Sequence, residues 1–300
     1  MKTFLLLVKR NMKLFFNDKG MFLTSLITPM ILLVLYVTFL GNVYRDSFLL
    51  SFGDNIQVSN KVMNGLVGGQ LISSILAVSC VTVAFCSNFL MVQDKALGNI
   101  KDLTISPVKK NILSLSYFTA SMLSTLIICF SGATVCLIYI GLTGWYLTVL
   151  DVLLLLLDIV LLVLFGTVLS SIINYFLTTL GQISAVGTVV SSIYGFLCGA
   201  YMPLSTFPEG LQKVLSFLPG TYGTSLLRVH AMESALKALE GELPSAALES
   251  VDAARDAFDL NLYFFGNEVS NTAKILVLTG SVVALILVYL LLNKFKRKRA

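Results

Sequence analysis

Charge is what this chain has least of: 12% of its 300 residues are charged, against 56% hydrophobic. That balance excludes an ordinary soluble domain and reads as an integral membrane protein. Catalytic motifs are missing too. There is no GxxxxGK[ST] phosphate cradle, no HExxH, no paired-aspartate motif on a helix and no serine with a histidine in reach, so the chain has nothing from which to build an enzyme. The five cysteines, Cys80, Cys86, Cys129, Cys136 and Cys198, all fall inside apolar runs, where they act as small hydrophobes rather than as disulfide or metal partners. The one histidine, His230, has no second His or Cys near it, which argues against a metal site. A cleavable signal peptide is not expected either, because "FLLLV" is short and is followed by "KRNMKLFFNDKG" rather than by small residues.

What is present is a set of six apolar runs, 21–43, 62–92, 112–140, 147–174, 180–201 and 275–292. Each matches the roughly 20 helical residues that cross a hydrocarbon core of about 30 Å. The fourth and fifth are divided only by "YFLTT". Lysines and arginines mark the orientation. Lys2, Lys9, Arg10, Lys13 and Lys19 precede the first run, Lys95, Lys101, Lys109 and Lys110 follow the second, and "NKFKRKRA" closes the chain. Six spans put all three groups on one side, expected to be the cytoplasm, with both termini there. The loop 203–271 between the fifth and sixth runs has nine acidic and four basic residues and falls outside. The net charge of +5 thus reflects membrane orientation and makes no case for nucleic-acid binding.

Within the spans only Asp151 and Asp158 are acidic, on a shared face of the fourth run. Asp151 sits near the outer end, where it reaches water. Asp158 lies about 16 Å into the span at about 1.5 Å per residue, where an ionised carboxylate costs roughly 2.5–3.5 kcal/mol and must face protein or a wet cavity. Two readings stand for it: a hydrogen-bonded packing residue, or a polar group lining a transport path. Gly65, Gly69, Ser73 and Ala77 on span 2, and Ser191, Gly195 and Gly199 on span 5, form small-residue stripes that let helices approach closely, either within the chain or against a second copy. Pro29 predicts an irregularity in span 1.

Two polar stretches need a purpose. Residues 1–20 place Lys2, Lys9 and Lys13 on one face and Phe4, Val8, Met12 and Phe15 on another, the pattern of a helix lying in the membrane interface. "QDKALGNIKDLTISPVKK", residues 93–110, is longer than a turn requires. Ala96, Leu97, Ile100 and Leu103 recur at helical spacing ahead of Pro107, giving a short helix whose apolar stripe has no membrane core to enter and is available to a cytoplasmic partner.

Three segments in this order resemble the type-2 permeases of ATP-binding-cassette exporters, similar to the multidrug and daunorubicin-type permeases and to the fold of the ABC G subfamily. They are "VKRNMKLFFNDKGMFLTSLITPMILLVLYVTFLG", "VQDKALGNIKDLTISPVKKNILSLSYF" and "GAYMPLSTFPEGLQKVLSFLPGTYGTSLLR". Gln93 and Asp94 stand where that family often has a glutamate. The resemblance covers essentially the whole chain. It implies an all-α membrane protein: an elbow helix over 1–20, then a single six-helix domain over 21–300. Within that domain 93–110 is a cytoplasmic coupling segment and 202–272 an outer re-entrant and helical loop.

The resemblance further implies a permease subunit in the plasma membrane that moves an amphiphilic drug, lipid or peptide outward. It would carry no cofactor of its own and use ATP and Mg held by a separate nucleotide-binding subunit. Lys95, Leu97, Ile100, Lys101, Leu103, Thr104 and Ile105 would meet that ATPase. A second permease subunit, identical or related, would complete a path touched by Phe85, Asn88, Phe89, Asp158, Tyr194 and Phe196, with lipid around the pair. Pro203, Leu204 and Phe207 would gate its outer end, and "MESALKALEGELPSAALESVDAARDAF" would make outer surface helices or a solvated lid. Two alternatives stay open: a polysaccharide or glycolipid exporter of the same fold, and a non-transporting immunity or sensor membrane protein.

Overall fold

The structure, a computed structural model, describes residues 2–52, 58–105, 108–242 and 248–299. It is an all-α membrane protein, and six of its described helices are long and apolar enough to cross a bilayer, in the order and near the positions read from the sequence. The N-terminal helix α1 (Lys2–Asn17) buries Leu7, Val8, Asn11 and Phe15. Asp18 then caps α2 (Lys19–Leu35), its carboxylate accepting from the Met21 N–H at 3.0 Å. Pro29 does not interrupt α2. The irregularity comes later, in a π-helical turn over Tyr36–Leu40 that leads into α3 (Gly41–Phe52). Gly41 closes that turn with an N–H bond to the Tyr36 carbonyl, and a Cβ there would sit 3.1 Å from that oxygen.

The centre of the molecule is α4 (Asn60–Ala96), which is buried at every position from Gly65 to Val92. Around it pack α2, α6 (Lys110–Thr143), α7 (Val149–Phe176), α8 (Leu180–Leu197) and α10 (Pro219–Glu242). The small-residue stripe of α4 serves packing within the chain. A Cβ on Gly65 would meet the Tyr146 ring and the Gly144 carbonyl at 3.0 and 3.1 Å, and one on Gly69 would meet the Ala231 carbonyl at 2.6 Å. At Gly166 of α7 a Cβ would fall 2.9 Å from the backbone of Cys80 and Val81. Gly69→Ala and Gly166→Ala therefore each push two backbones apart and should destabilise by about 1–3 kcal/mol, read as a lower unfolding midpoint in detergent. Gly132→Ala, with open space around it, should change little.

The division of spans four and five has a local cause. At the end of α7 the chain turns extended at Leu177, and Thr179 and Gln182 then form a reciprocal capping box that opens α8. Thr148 and Asp151 open α7 in the same way. This fixes one role for Asp151, which also accepts from the Ser234 hydroxyl at 2.5 Å.

The segment 202–272, read as a re-entrant and helical loop, is largely helical among its described residues. A short 3₁₀ turn (Leu204–Thr206) and α9 (Glu209–Leu215) lead into α10, a 24-residue helix that inserts against α4 and α7. After it, α11 (Leu248–Ala257) buries Val251 and Ala254 against α3, and Phe258 stacks on Phe48 with ring centres 3.8 Å apart. A hairpin of β1 (Leu262–Phe264) and β2 (Asn267–Val269) delivers the chain to α12 (Asn271–Arg299), which packs on α7 and α10. The described helix formers of this stretch, to residue 242 in α10 and from Leu248 in α11, are docked structure, whereas 243–247 lie outside the described residues. Arg255 fastens α11 to α10 through Glu233 at 3.0 Å and Glu240 at 2.6 Å. Burial alone would lower the Arg255 guanidinium, yet these two carboxylates raise it above its usual range.

Candidate functional site

Three places in the bundle hold chemistry. The first is at the basic end, where α4 emerges. Asp94, 3% exposed, collects three other elements: Arg10 of α1 at 2.8 Å, Tyr117 of α6 at 2.5 Å and Asn99 at 3.0 Å. Asn99 opens α5 (Asn99–Ile105), which α4 reaches through the left-handed Gly98 at φ 83°. Asn11 adds a bond to Ser116 at 3.5 Å. The helices α1, α4, α5 and α6 are thereby clamped on one carboxylate. Burial would lower the Arg10 guanidinium, but its bond to Asp94 raises it.

The residues read as an ATPase contact divide on this frame. Leu97 and Ile105 point away from the protein, 66% and 83% exposed, and Lys101 is exposed. Ile100 is half-buried, and Leu103 packs partly against the chain's own core. Lys95 has a role within the chain: its ammonium turns back onto the end of α7, donating to the carbonyls of Asn174, Tyr175 and Leu177 at 2.8, 3.3 and 3.2 Å, a cationic cap on a helix C-terminus. The side chain of Thr104, and Pro107 altogether, lie outside the described residues.

The second place is a cavity of about 600 Å³ between α2, α4 and α8, in the half of the bundle nearer the basic end. That volume is in the range of small-molecule sites, roughly 300–1,000 Å³. Its walls combine Ile27, Cys86, Phe89 and Ile183 with Thr24, Gln93, Ser184, Thr188 and Ser191. Only Gly195 of α8 is buried, so this wall is open on its far side. Among the residues read as a substrate path, Phe89 lines the cavity. Phe85 packs edge-on behind it at 6.4 Å. Asn88 is buried away from it, donating to Ser170 and Ser171 of α7 at 3.0 and 2.8 Å. Tyr194 is turned toward Gly220 at the start of α10, and Phe196 stands edge-on to Tyr201 at 4.9 Å.

Asp158 is the third place, and it is not among the residues around that cavity. It is 1% exposed and meets His230 Nδ1 at 2.5 Å, across the seam of α7 and α10. No sequence motif pairs these residues. The usable signal was that an intramembrane carboxylate needs a partner, and that the only histidine lay in a segment long enough to re-enter the bundle. Two residues before His230, Arg228 makes a second buried pair, at 2.7 Å to Asp259 and with a further bond to the Gly199 carbonyl. Asp259 also accepts from the N–H groups of Leu204 and Ser205, so Leu204 is an anchor of this cap. Burial raises the Asp259 carboxyl against the opposing pull of Arg228. Pro203 and Phe207 are half-buried on either side of Leu204. Among the described residues no group of three or more His, Cys, Asp and Glu side chains could hold a metal.

The chain is thus a six-span helical bundle with the helix α1 in front and the short helix α5 after the second span. The profile of the ABC-2 type transporter family matches residues 2–231, and the chain belongs to that family. It is therefore a membrane subunit of an ABC transporter, a multi-pass transport component that works with ATP-binding subunits. No curated protein and no solved structure matches the chain.

Proposed function

We propose that the chain is one half of an ATP-driven exporter that takes amphiphilic molecules from the cavity between α2, α4 and α8 and releases them at the opposite face. The observation that carries this reading is the composition of the open face of α8. Ser184, Thr188, Ser191 and Ser192 stand along it and line the cavity, although a helix surface meant only for lipid gains nothing from such a polar row. A second permease subunit, a copy or a relative, closes the cavity on that side. The helix α5 carries the force of ATP closure from a separate nucleotide-binding subunit, which holds the ATP and Mg. Among the described residues Phe89 is the one aromatic around the cavity, which favours small amphiphiles over glycans, whose passage calls for a ladder of aromatic platforms.

The test is amphiphile-stimulated ATP hydrolysis by the chain reconstituted with its copurifying ATPase. Ser191→Trp fills the cavity and should reduce stimulation to the unstimulated level. Stimulation equal to the parent would remove the cavity from the path, and no ATPase in the purified complex would favour the sensor or immunity reading. The orientation, with both termini cytoplasmic in the plasma membrane, has its own check. All five native cysteines are buried, so a thiol introduced at exposed Glu249 should react with an impermeant reagent added to intact cells. Reaction only after the cells are opened would invert the topology.

A further inference from the structure

Beyond the transport path, one surface has an unusual combination of exposed aromatics and backbone conformation. The hairpin β1–β2 turns over two residues, Phe265 and Gly266, both in the left-handed region at φ 49° and 84°. Asn and Gly are the usual occupants of such a turn. A bulky side chain there is a conformational outlier that the surroundings must hold in place. Its ring belongs to an edge-to-face cluster in which Phe264 and Phe265 lie 4.9 Å apart and Phe217, at the end of α9, stands 5.3 and 5.8 Å from them. Such a cluster would ordinarily be core. Here Phe217 and Phe265 are 64% and 55% exposed, and Tyr263 is exposed beside them. The base of the hairpin is what is buried: Leu262 packs with Leu204, Leu215 and Tyr222.

We infer that this aromatic tip is an interfacial anchor, seated in the lipid boundary at the acidic end of the bundle. Its position carries the argument. The hairpin runs into α12 after a single residue, and α12 exposes Leu276 and Val277 in its first two turns. Thr221, just after Phe217, bonds the carbonyl of Leu197, the last residue of α8. The tip therefore sits where two spanning helices end, with Leu211 and Val214 of α9 exposed alongside. It continues the apolar bands that α8 and α12 present to the bilayer. Aromatic side chains are the residues that membrane interfaces favour, because the ring is comfortable at headgroup level. The nearby charges are Glu209 with Lys213, Asp256, which accepts from the Tyr263 hydroxyl, and Glu268 opposite Tyr263. That set is net acidic, so the partner is a lipid boundary recognised through its acyl and glycerol region, and anionic headgroups are not what attracts it.

The chain's single tryptophan, Trp145, allows a direct test on the full-length protein. Trp145→Phe combined with Phe265→Trp leaves one indole at the tip, and the protein is placed in nanodiscs of phosphatidylcholine brominated near the top of the acyl chain. Emission should fall by about twofold or more, as for an interfacial residue, and equally when phosphatidylglycerol replaces part of the lipid. If Trp145→Phe does not fold, the extra quenchable emission of Phe265→Trp over the parent chain reports the same contact. Emission unchanged by brominated lipid would overturn the anchor, and crosslinking between two copies through a cysteine at Phe265 would then assign the tip to a second subunit. None of these readouts involves ATP hydrolysis, so they stand or fall separately from the export reading.

Discussion

Leu97→Asp and Ile105→Asp are expected to strip the ATPase from the purified permease and to abolish stimulated hydrolysis while the bundle stays folded. Both side chains are exposed on the protein's own surface, so neither substitution buries a charge within the chain. In a groove on the partner each would place an unpaired charge in a desolvated contact, which costs several kcal/mol. A loss of about 3 kcal/mol lowers affinity by more than a hundredfold. Leu103→Asp is a poorer probe, because Leu103 also packs against the core. Asn99 is not a neutral control, because it donates to Asp94. Leu248→Asp, an exposed leucine on α11, serves instead. Full recovery of the ATPase with both Leu97→Asp and Ile105→Asp would sink the assignment of α5 as the energy contact.

Breaking the Asp158–His230 pair should be the most damaging change inside the bundle. Asp158→Leu strands a buried imidazole, and His230→Leu strands a buried carboxylate. Removing one member of a buried pair typically costs about 3–5 kcal/mol. The double variant removes both polar groups from the seam and should recover much of that loss, so that its unfolding midpoint lies above at least one single variant. Additive losses would show that the two residues act independently, against the bond between them. Transport sorts the readings of Asp158. A packing pair predicts that Asp158→Asn, which retains a hydrogen-bonding side chain, keeps cargo selectivity, whereas a change of selectivity without loss of assembly would return Asp158 to the path.

Composition and periodicity by themselves determined that this is a six-span helical membrane protein, where its spans fall, and that a short helix follows the second of them. Those properties are local: a run of about twenty apolar residues has one stable form in a bilayer, and capping residues such as Thr148 and Thr179 mark helix starts without help from distant chain. The three segments that open at Val8, Val92 and Gly199 were also enough for the family to be legible. Tertiary structure alone decided which polar groups meet. That Lys95 caps α7 is visible only in the structure, because the end of α4 lies against the α7–α8 turn. Residues 219–242 were read as part of the loop after the fifth span, yet they form a helix that is buried from Gly220 to Met232. His230 with Asp158, Ser234 with Asp151 and Arg228 with Asp259 satisfy one another across its seams, a cancellation that exists only once the helices are side by side. The same holds for α8: its polar row is visible along the chain, but the cavity it lines needs α2 and α4 as the other walls.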